Sequence, residues 1–264
     1  MKIRCSVGKG IMDQGECLAC ALKNVMPPCG FEHSFLNRMY KAMDQDRPGI
    51  HVSDIVHCLR RSYLNKVDPQ VEAPHEMLAK FYGLAQHDYL SQSNGDHGEM
   101  DVEYNGLVGR VDLFKDGILR DYKTTKKIYV DLLPYGEHAM QQNVYAFMLD
   151  QMGHEVKRIL LVYISKFGPT ECSKCKIPVE VGIFGEMACP KCGSTPRNST
   201  FGVKTIEVLK ESPVFMKKYI DERKGILEKA IDSGPIPDGE PSWWCKWCKH
   251  LCPWRDGGSG DDRG

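Results

Sequence analysis

The sequence has no long apolar run. None approaches the ~20 residues needed to cross a bilayer as a helix, so no membrane association is expected. The N-terminus, MKIRCSVGKGIMDQ, lacks the apolar stretch of a secretory signal, and a cytoplasmic location is the default. Net charge is also missing: 35 basic side chains balance 35 acidic ones, so bulk charge neither argues for nor excludes a nucleic-acid partner. No internal repeat of an architectural kind is present. With 42% hydrophobic and 27% charged residues, the composition is that of a globular chain and not of a disordered or fibrous one.

Cysteine, by contrast, is abundant. Twelve cysteines in a chain without a secretory signature point to metal binding before disulfides. They cluster as Cys5, Cys17, Cys20 and Cys29, then Cys172, Cys175, Cys189 and Cys192, then Cys245, Cys248 and Cys252, with Cys58 alone. The middle set is C-x2-C-x13-C-x2-C, close to a zinc ribbon, and four thiolates on one ion leave no open position for catalysis. Lys174, Lys176, Lys191 and Arg197 lie around it and could face DNA or protein. The first set has a single CxxC pair, and zinc is the expectation there too, with free thiols as the alternative and Cys5 the weakest of the four ligands.

Helical patterns run over about 34–45, 53–64 (with Ser53 as N-cap), 74–92, 136–152 and 213–231. Strands are expected at about 99–105, 107–115, 118–124, 158–165 and 203–208. This alternation implies an α/β domain around a mixed sheet, with the cysteine segments appended before, inside and after it.

The stretch GRVDLFKDGILRDYKTTKK, residues 109–127, carries a chemical pattern. Asp116-Gly117 is a strong two-residue hairpin signal. If Lys115 pairs with Ile118, Asp112 comes opposite Asp121, and Lys123 shares the face of Asp121. Two opposed carboxylates repel unless a positive charge intervenes. Mg²⁺ or Mn²⁺ would supply it and suits phosphoryl chemistry, while Lys123 could orient water or neutralise developing charge. The plainer reading is an exposed face whose aspartates are balanced by Arg110 and Lys123. His87 follows Gly83 by one helical turn, and Gln141 and Tyr145 share a helical face.

In order, Gly83–His87 (GxxxH), Gly109–Asp112 (GxxD), Asp121–Lys123 (DxK) and Gln141–Tyr145 (QxxxY) resemble the motifs of the RecB-like branch of the PD-(D/E)XK nuclease superfamily. Cys58, followed after the motifs by Cys245, Cys248 and Cys252, resembles the iron–sulfur members of that branch. These include the fourth CRISPR-associated protein family (small RecB-like exonucleases), AddB-type nuclease domains and a eukaryotic replication helicase-nuclease. The resemblance implies a restriction-endonuclease-like α/β core, a mixed sheet flanked by helices. It implies metal ligation by His87, Asp112, Asp121 and the carbonyl of Tyr122, with Lys123 catalytic and Gln141 and Tyr145 orienting the lysine or phosphates. It further implies a [4Fe–4S] cluster on Cys58, Cys245, Cys248 and Cys252, although four thiolates also suit zinc and spacing does not separate the two.

The organisation expected on this basis is a cysteine knuckle over 1–33, a nuclease core over 34–168 and a zinc-ribbon-like insert over 169–200. A core strand and helix over 201–240, the cluster segment over 241–256 and a disordered tail over 257–264 complete it. The expected activity is metal-dependent hydrolysis of DNA phosphodiesters, on single strands or overhangs, in CRISPR spacer-precursor processing or in recombination and repair. Its partners would be DNA and either a CRISPR integrase complex or recombination proteins. Trp243, Trp244, Trp247 and Trp254 could stack on bases or shield the cluster, and Arg60, Arg61, Lys126 and Lys127 could track phosphates or be solvated. The competing class is a non-catalytic DNA-end or protein-binding module that keeps the fold.

Overall fold

The computed structural model describes the chain apart from residues 25–26, 44–47, 93–98, 126–131, 166–169, 173, 176–177, 180–188, 195–202, 242–244, 246–247, 249, 251 and 253–264. Of residues 87, 91–92, 165, 170–171 and 178–179 it describes the backbone alone. From the N-terminus the elements are β1 (Lys2–Arg4), β2 (Ile11–Asp13), α1 (Gln14–Lys23), α2 (His33–Met43), β3 (Ile50–His51), α3 (Val52–Val56), α4 (Leu59–Val67) and α5 (Pro74–Gln92). There follow β4 (Met100–Tyr104), β5 (Leu107–Val111), β6 (Leu113–Lys115), β7 (Ile118–Thr125), α6 (Gly136–Gln151) and β8 (Arg158–Ser165). Then come β9 (Thr170–Glu171), β10 (Pro178–Val179), β11 (Val203–Val208) and α7 (Pro213–Asp232). No described helix is long and apolar enough to cross a membrane.

The chain divides into two compact units, each assembled from separated stretches. Residues 1–49, 58–90 and 226–264 make one, and 50–57 with 91–225 make the other. In the first, β1 and β2 pair antiparallel, with Ile3 opposite Met12. Helix α1 starts after Asp13, whose N–H donates to the Glu16 carboxylate at 2.9 Å, half of a capping box. This helix lies inside the segment expected to be a knuckle. Its Cys17 and Ala21, four residues apart, turn one face to Ile3, Leu36, Met39, Tyr40 and Met77, all buried. Phe35 and Phe81 close that core edge to face, with ring centroids 5.4 Å apart.

The second unit holds a four-stranded sheet in the order β11-β8-β7-β6 and a three-stranded sheet in the order β3-β5-β4. Asp116 and Gly117 both have positive φ, 55° and 74°, the conformation of a tight hairpin turn. The register is the expected one: Lys115 faces Ile118 and Leu113 faces Arg120. Parallel β7 and β8 are joined through α6, as a parallel pair requires a crossover. From Val144 to Leu149 the α6 helix is buried, and it packs on α3, β4, β7 and β8.

Two expectations need correcting. The single strand over 107–115 is two strands in different sheets, β5 and β6, with a bend at Asp112 between them. The helix over 53–64 is likewise two helices, and its first turn begins at Val52, behind His51 in place of Ser53. Helix α3 stops at Val56, where side chains of α7 donate to the carbonyls of Ile55 and of the C-cap residue His57. Arg223 Nη2 donates to the His57 carbonyl at 2.7 Å, while Arg223 Nε and Tyr219 Oη donate to that of Ile55.

Candidate active site

Strand β7 supplies Asp121, Tyr122 and Lys123, the bend between β5 and β6 supplies Asp112, and α6 supplies Gln141 and Tyr145. Alternation along β7 puts Asp121 and Lys123 on one face, and their side chains form an ion pair of 3.0 Å. Asp121 is only 4% exposed. A buried carboxylate needs a positive partner, and Lys123 is one. Asp112 does not sit in a regular cross-strand pair with Asp121. Its Oδ2 accepts the Tyr122 N–H at 2.8 Å, so the carboxylate at the bend is tied to the strand that carries Asp121.

Lys123 Nζ also donates to Gln141 Oε1 at 2.8 Å. That fixes the amide's orientation, because its other end, Nε2, then points to Tyr145 Oη at 3.5 Å. Burial pushes the Tyr145 phenol up to about 12, with the charge of Asp121 adding to it, so the hydroxyl keeps its proton. The sequence motifs DxK and QxxxY are thus one connected chain of side chains: Asp121, Lys123, Gln141, Tyr145. The glycine of GxxD has a packing reason, since a Cβ at Gly109 would meet the Tyr145 ring.

Sequence reasoning missed His138. It stands one turn before Gln141 on α6 and its Nδ1 is 3.1 Å from Tyr163 Oη. The same oxygen accepts the Tyr135 N–H at 3.2 Å. Burial first, then the charge of Lys123, hold this imidazole down to about 3, so it is neutral beside the lysine. Its i, i+3 spacing to Gln141 was the available signal. Glu137, in the first turn of the same helix, pairs with His57 at 2.9 Å.

Asp112 and Asp121 offer carboxylate oxygens and Tyr122 a backbone carbonyl, a donor set that suits a hard divalent cation. His87 lies on α5, and its side chain is outside the described residues, as are Lys126 and Lys127.

The cysteine sets fare differently. Cys172, Cys175, Cys189 and Cys192 bring their sulfurs within 4.8 Å of one another and can hold a metal ion. A single tetrahedral ion with bonds of about 2.3 Å spaces its sulfurs about 3.8 Å apart. Here Cys172–Cys192 is 3.6 Å, Cys175–Cys189 is 3.4 Å and Cys175–Cys192 is 3.8 Å. Ser194 Oγ lies 2.9 Å from the Cys192 sulfur and 3.5 Å from that of Cys172. Its hydrogen bonds hold both thiols below their ordinary range and favour the thiolates that bind metal. Among the described residues no other set meets that spacing. Lys174 and Lys191 are exposed beside this one, while Lys176 and Arg197 lie outside the described residues.

Cys58 precedes α4 and accepts the Glu240 N–H at 3.5 Å, and Cys245 Sγ faces the Glu240 carbonyl at 3.9 Å. The Cys248 N–H donates to the Cys245 carbonyl at 3.0 Å. Nearby, His250 Nε2 is 2.7 Å from Asn65 Oδ1 on α4. The chain end that carries the last cysteines therefore returns to the helix that Cys58 opens. Trp243, Trp244, Trp247 and Trp254 lie outside the described residues.

No family model and no curated protein matches the chain. Among solved structures, the crystal structure of SSO0001 is similar at 16% identity, covering 83% of this chain and 94% of that one, with a TM-score of 0.46. A phage-related exonuclease from Haemophilus somnus 129PT is similar at 11% identity, covering 71% of this chain and 95% of that one, with a TM-score of 0.40.

Proposed function

We propose that the protein is a metal-dependent deoxyribonuclease of the RecB-like PD-(D/E)XK type, acting on single-stranded DNA or overhangs. The observation that carries this reading is the connected chain Asp121–Lys123–Gln141–Tyr145 with Asp112 tied to the same strand. Binding alone does not call for a buried carboxylate held against a lysine in this way.

A divalent cation on Asp112, Asp121 and the Tyr122 carbonyl would polarise the scissile phosphate and lower the pKa of water. The chain's own residues do the positioning. Lys123, ion-paired with Asp121, offers N–H donors that hold the attacking water and the phosphate oxygens as negative charge grows. Gln141 keeps that ammonium from swinging away, and Tyr145, protonated, fixes Gln141. In-line attack forms the bond from phosphorus to the water oxygen as the bond to the departing nucleotide oxygen breaks.

Cys58 and Cys245 meeting at Glu240 supports a [4Fe–4S] cluster on Cys58, Cys245, Cys248 and Cys252. The tetrahedral spacing of the Cys172 set supports zinc there. CRISPR spacer-precursor processing and recombination or repair are the settings that fit, and co-purification with an integrase would select the first.

The test is cleavage of end-labelled single-stranded DNA, duplex and overhang substrates in Mg²⁺, Mn²⁺ and chelator. Metal-dependent cutting of single strands or overhangs is expected. Cutting that persists unchanged in chelator would remove the reading.

A further inference from the structure

The N-terminal cysteines are not used by the proposed reaction, and zinc is expected there from a single CxxC pair alone. The structure adds three observations. Cys17 and Cys20 are three residues apart on α1 and so share a face. Cys5 and Cys29 each sit in a turn that brings them in from other segments: the Cys5 N–H donates to Gly10 and its carbonyl accepts from Gly8, while Cys29 lies inside the turn closed by Gly30 N–H to Pro27. Cys17 is buried in one cluster with Ile3, two residues before Cys5, so α1 and the end of β1 that leads into Cys5 lie together.

The hydrogen-bond partners are more telling. Tyr40 is fully buried, and its hydroxyl lies 3.1 Å from Cys17 Sγ. A buried phenol needs a partner, and a neutral thiol is a weak one, whereas a thiolate accepts strongly. Asn24 Nδ2 lies 3.9 Å from Cys20 Sγ while it donates to the Cys20 carbonyl. Donors aimed at both sulfurs of a CxxC pair are the outer partners that metal-bound thiolates take.

We propose that Cys5, Cys17, Cys20 and Cys29 form a second zinc-class metal site, with the Tyr40 hydroxyl donating to the Cys17 thiolate. The four sulfurs are spread wider than those of the Cys172 set, and binding draws in Cys5 and Cys29, whose turns contain the positive-φ glycines Gly8, Gly10 and Gly30. The ion ties the β1–β2 hairpin and the 27–30 turn to α1, on which the apolar core around Tyr40 is built.

The proposal is independent of the nuclease reading, and its readout is chemical. Cys5, Cys20 and Cys29 are partly exposed and open to alkylation. In the full chain, alkylation mapped by peptide mass spectrometry, with zinc and after chelation, should show these three protected by zinc. Cys17→Ser should abolish that protection. Tyr40→Phe, which keeps every thiol, should retain zinc but weaken its hold by about 10-fold or more. Equal alkylation with and without zinc would overturn the site, and undiminished affinity in Tyr40→Phe would overturn the role of the hydroxyl.

Discussion

A Cβ placed on Gly109 would lie 2.5 Å from Cε1 of Tyr145 and 2.9 Å from Cγ2 of Val52, so the residue and the tyrosine ring compete for one volume. Gly109→Ala must therefore displace the ring or the strand. Overpacking of this kind costs about 1–3 kcal/mol, and the displaced ring loses its place beside Gln141. We expect a lowered melting temperature together with a loss of cleavage larger than that of Tyr145→Phe, which keeps the ring and removes the hydroxyl. An alanine variant with wild-type turnover would show that the ring position is not used.

His138 gives a pH prediction. Its folded value is depressed from 6.5 to about 3, by burial first and then by the charge of Lys123. The folded state thus binds fewer protons than the unfolded chain between these values. Stability from this group is complete above pH 6.5 and is lost as pH falls toward 3. Urea midpoints measured from pH 7 to 4 should fall, and His138→Phe should flatten that fall. An imidazole titrating near its ordinary value by NMR would contradict the account.

Ser194 is predicted to act through the sulfurs of Cys192 and Cys172 that it faces. Ser194→Ala should weaken metal binding at that set by about 10–100-fold, read by competition with a coloured chelator, without changing the number of ions bound. An unchanged affinity would assign the serine to the turn alone.

Local signals in the sequence carried as far as local physics determines structure. Asp116-Gly117 set the hairpin register because both residues accept positive φ. The boundaries of α5, β8 and β11 follow from proline, apolar periodicity and branched residues. Nothing local marks the bend at Asp112, because Val111 and Leu113 are both buried and the alternation reads straight through. At the break after Val56 the carbonyls are met by Arg223, which is remote in sequence. For His138 the spacing to Gln141 is the one local signal, and its partner Tyr163 arrives from β8, remote in sequence. Of the candidate site, Asp121, Lys123, Gln141 and Tyr145 were legible as motifs, but not the hydrogen-bonded order that links them.

The most direct measurement compares wild-type protein with Lys123→Ala, Asp121→Ala and Gln141→Ala in Mn²⁺-dependent cleavage of end-labelled single-stranded DNA, with folding checked by circular dichroism. The account predicts losses of about 10²–10³ or more for Lys123→Ala and Asp121→Ala and a smaller loss for Gln141→Ala, which only holds the lysine. Cleavage that survives in folded Lys123→Ala and Asp121→Ala proteins would contradict it.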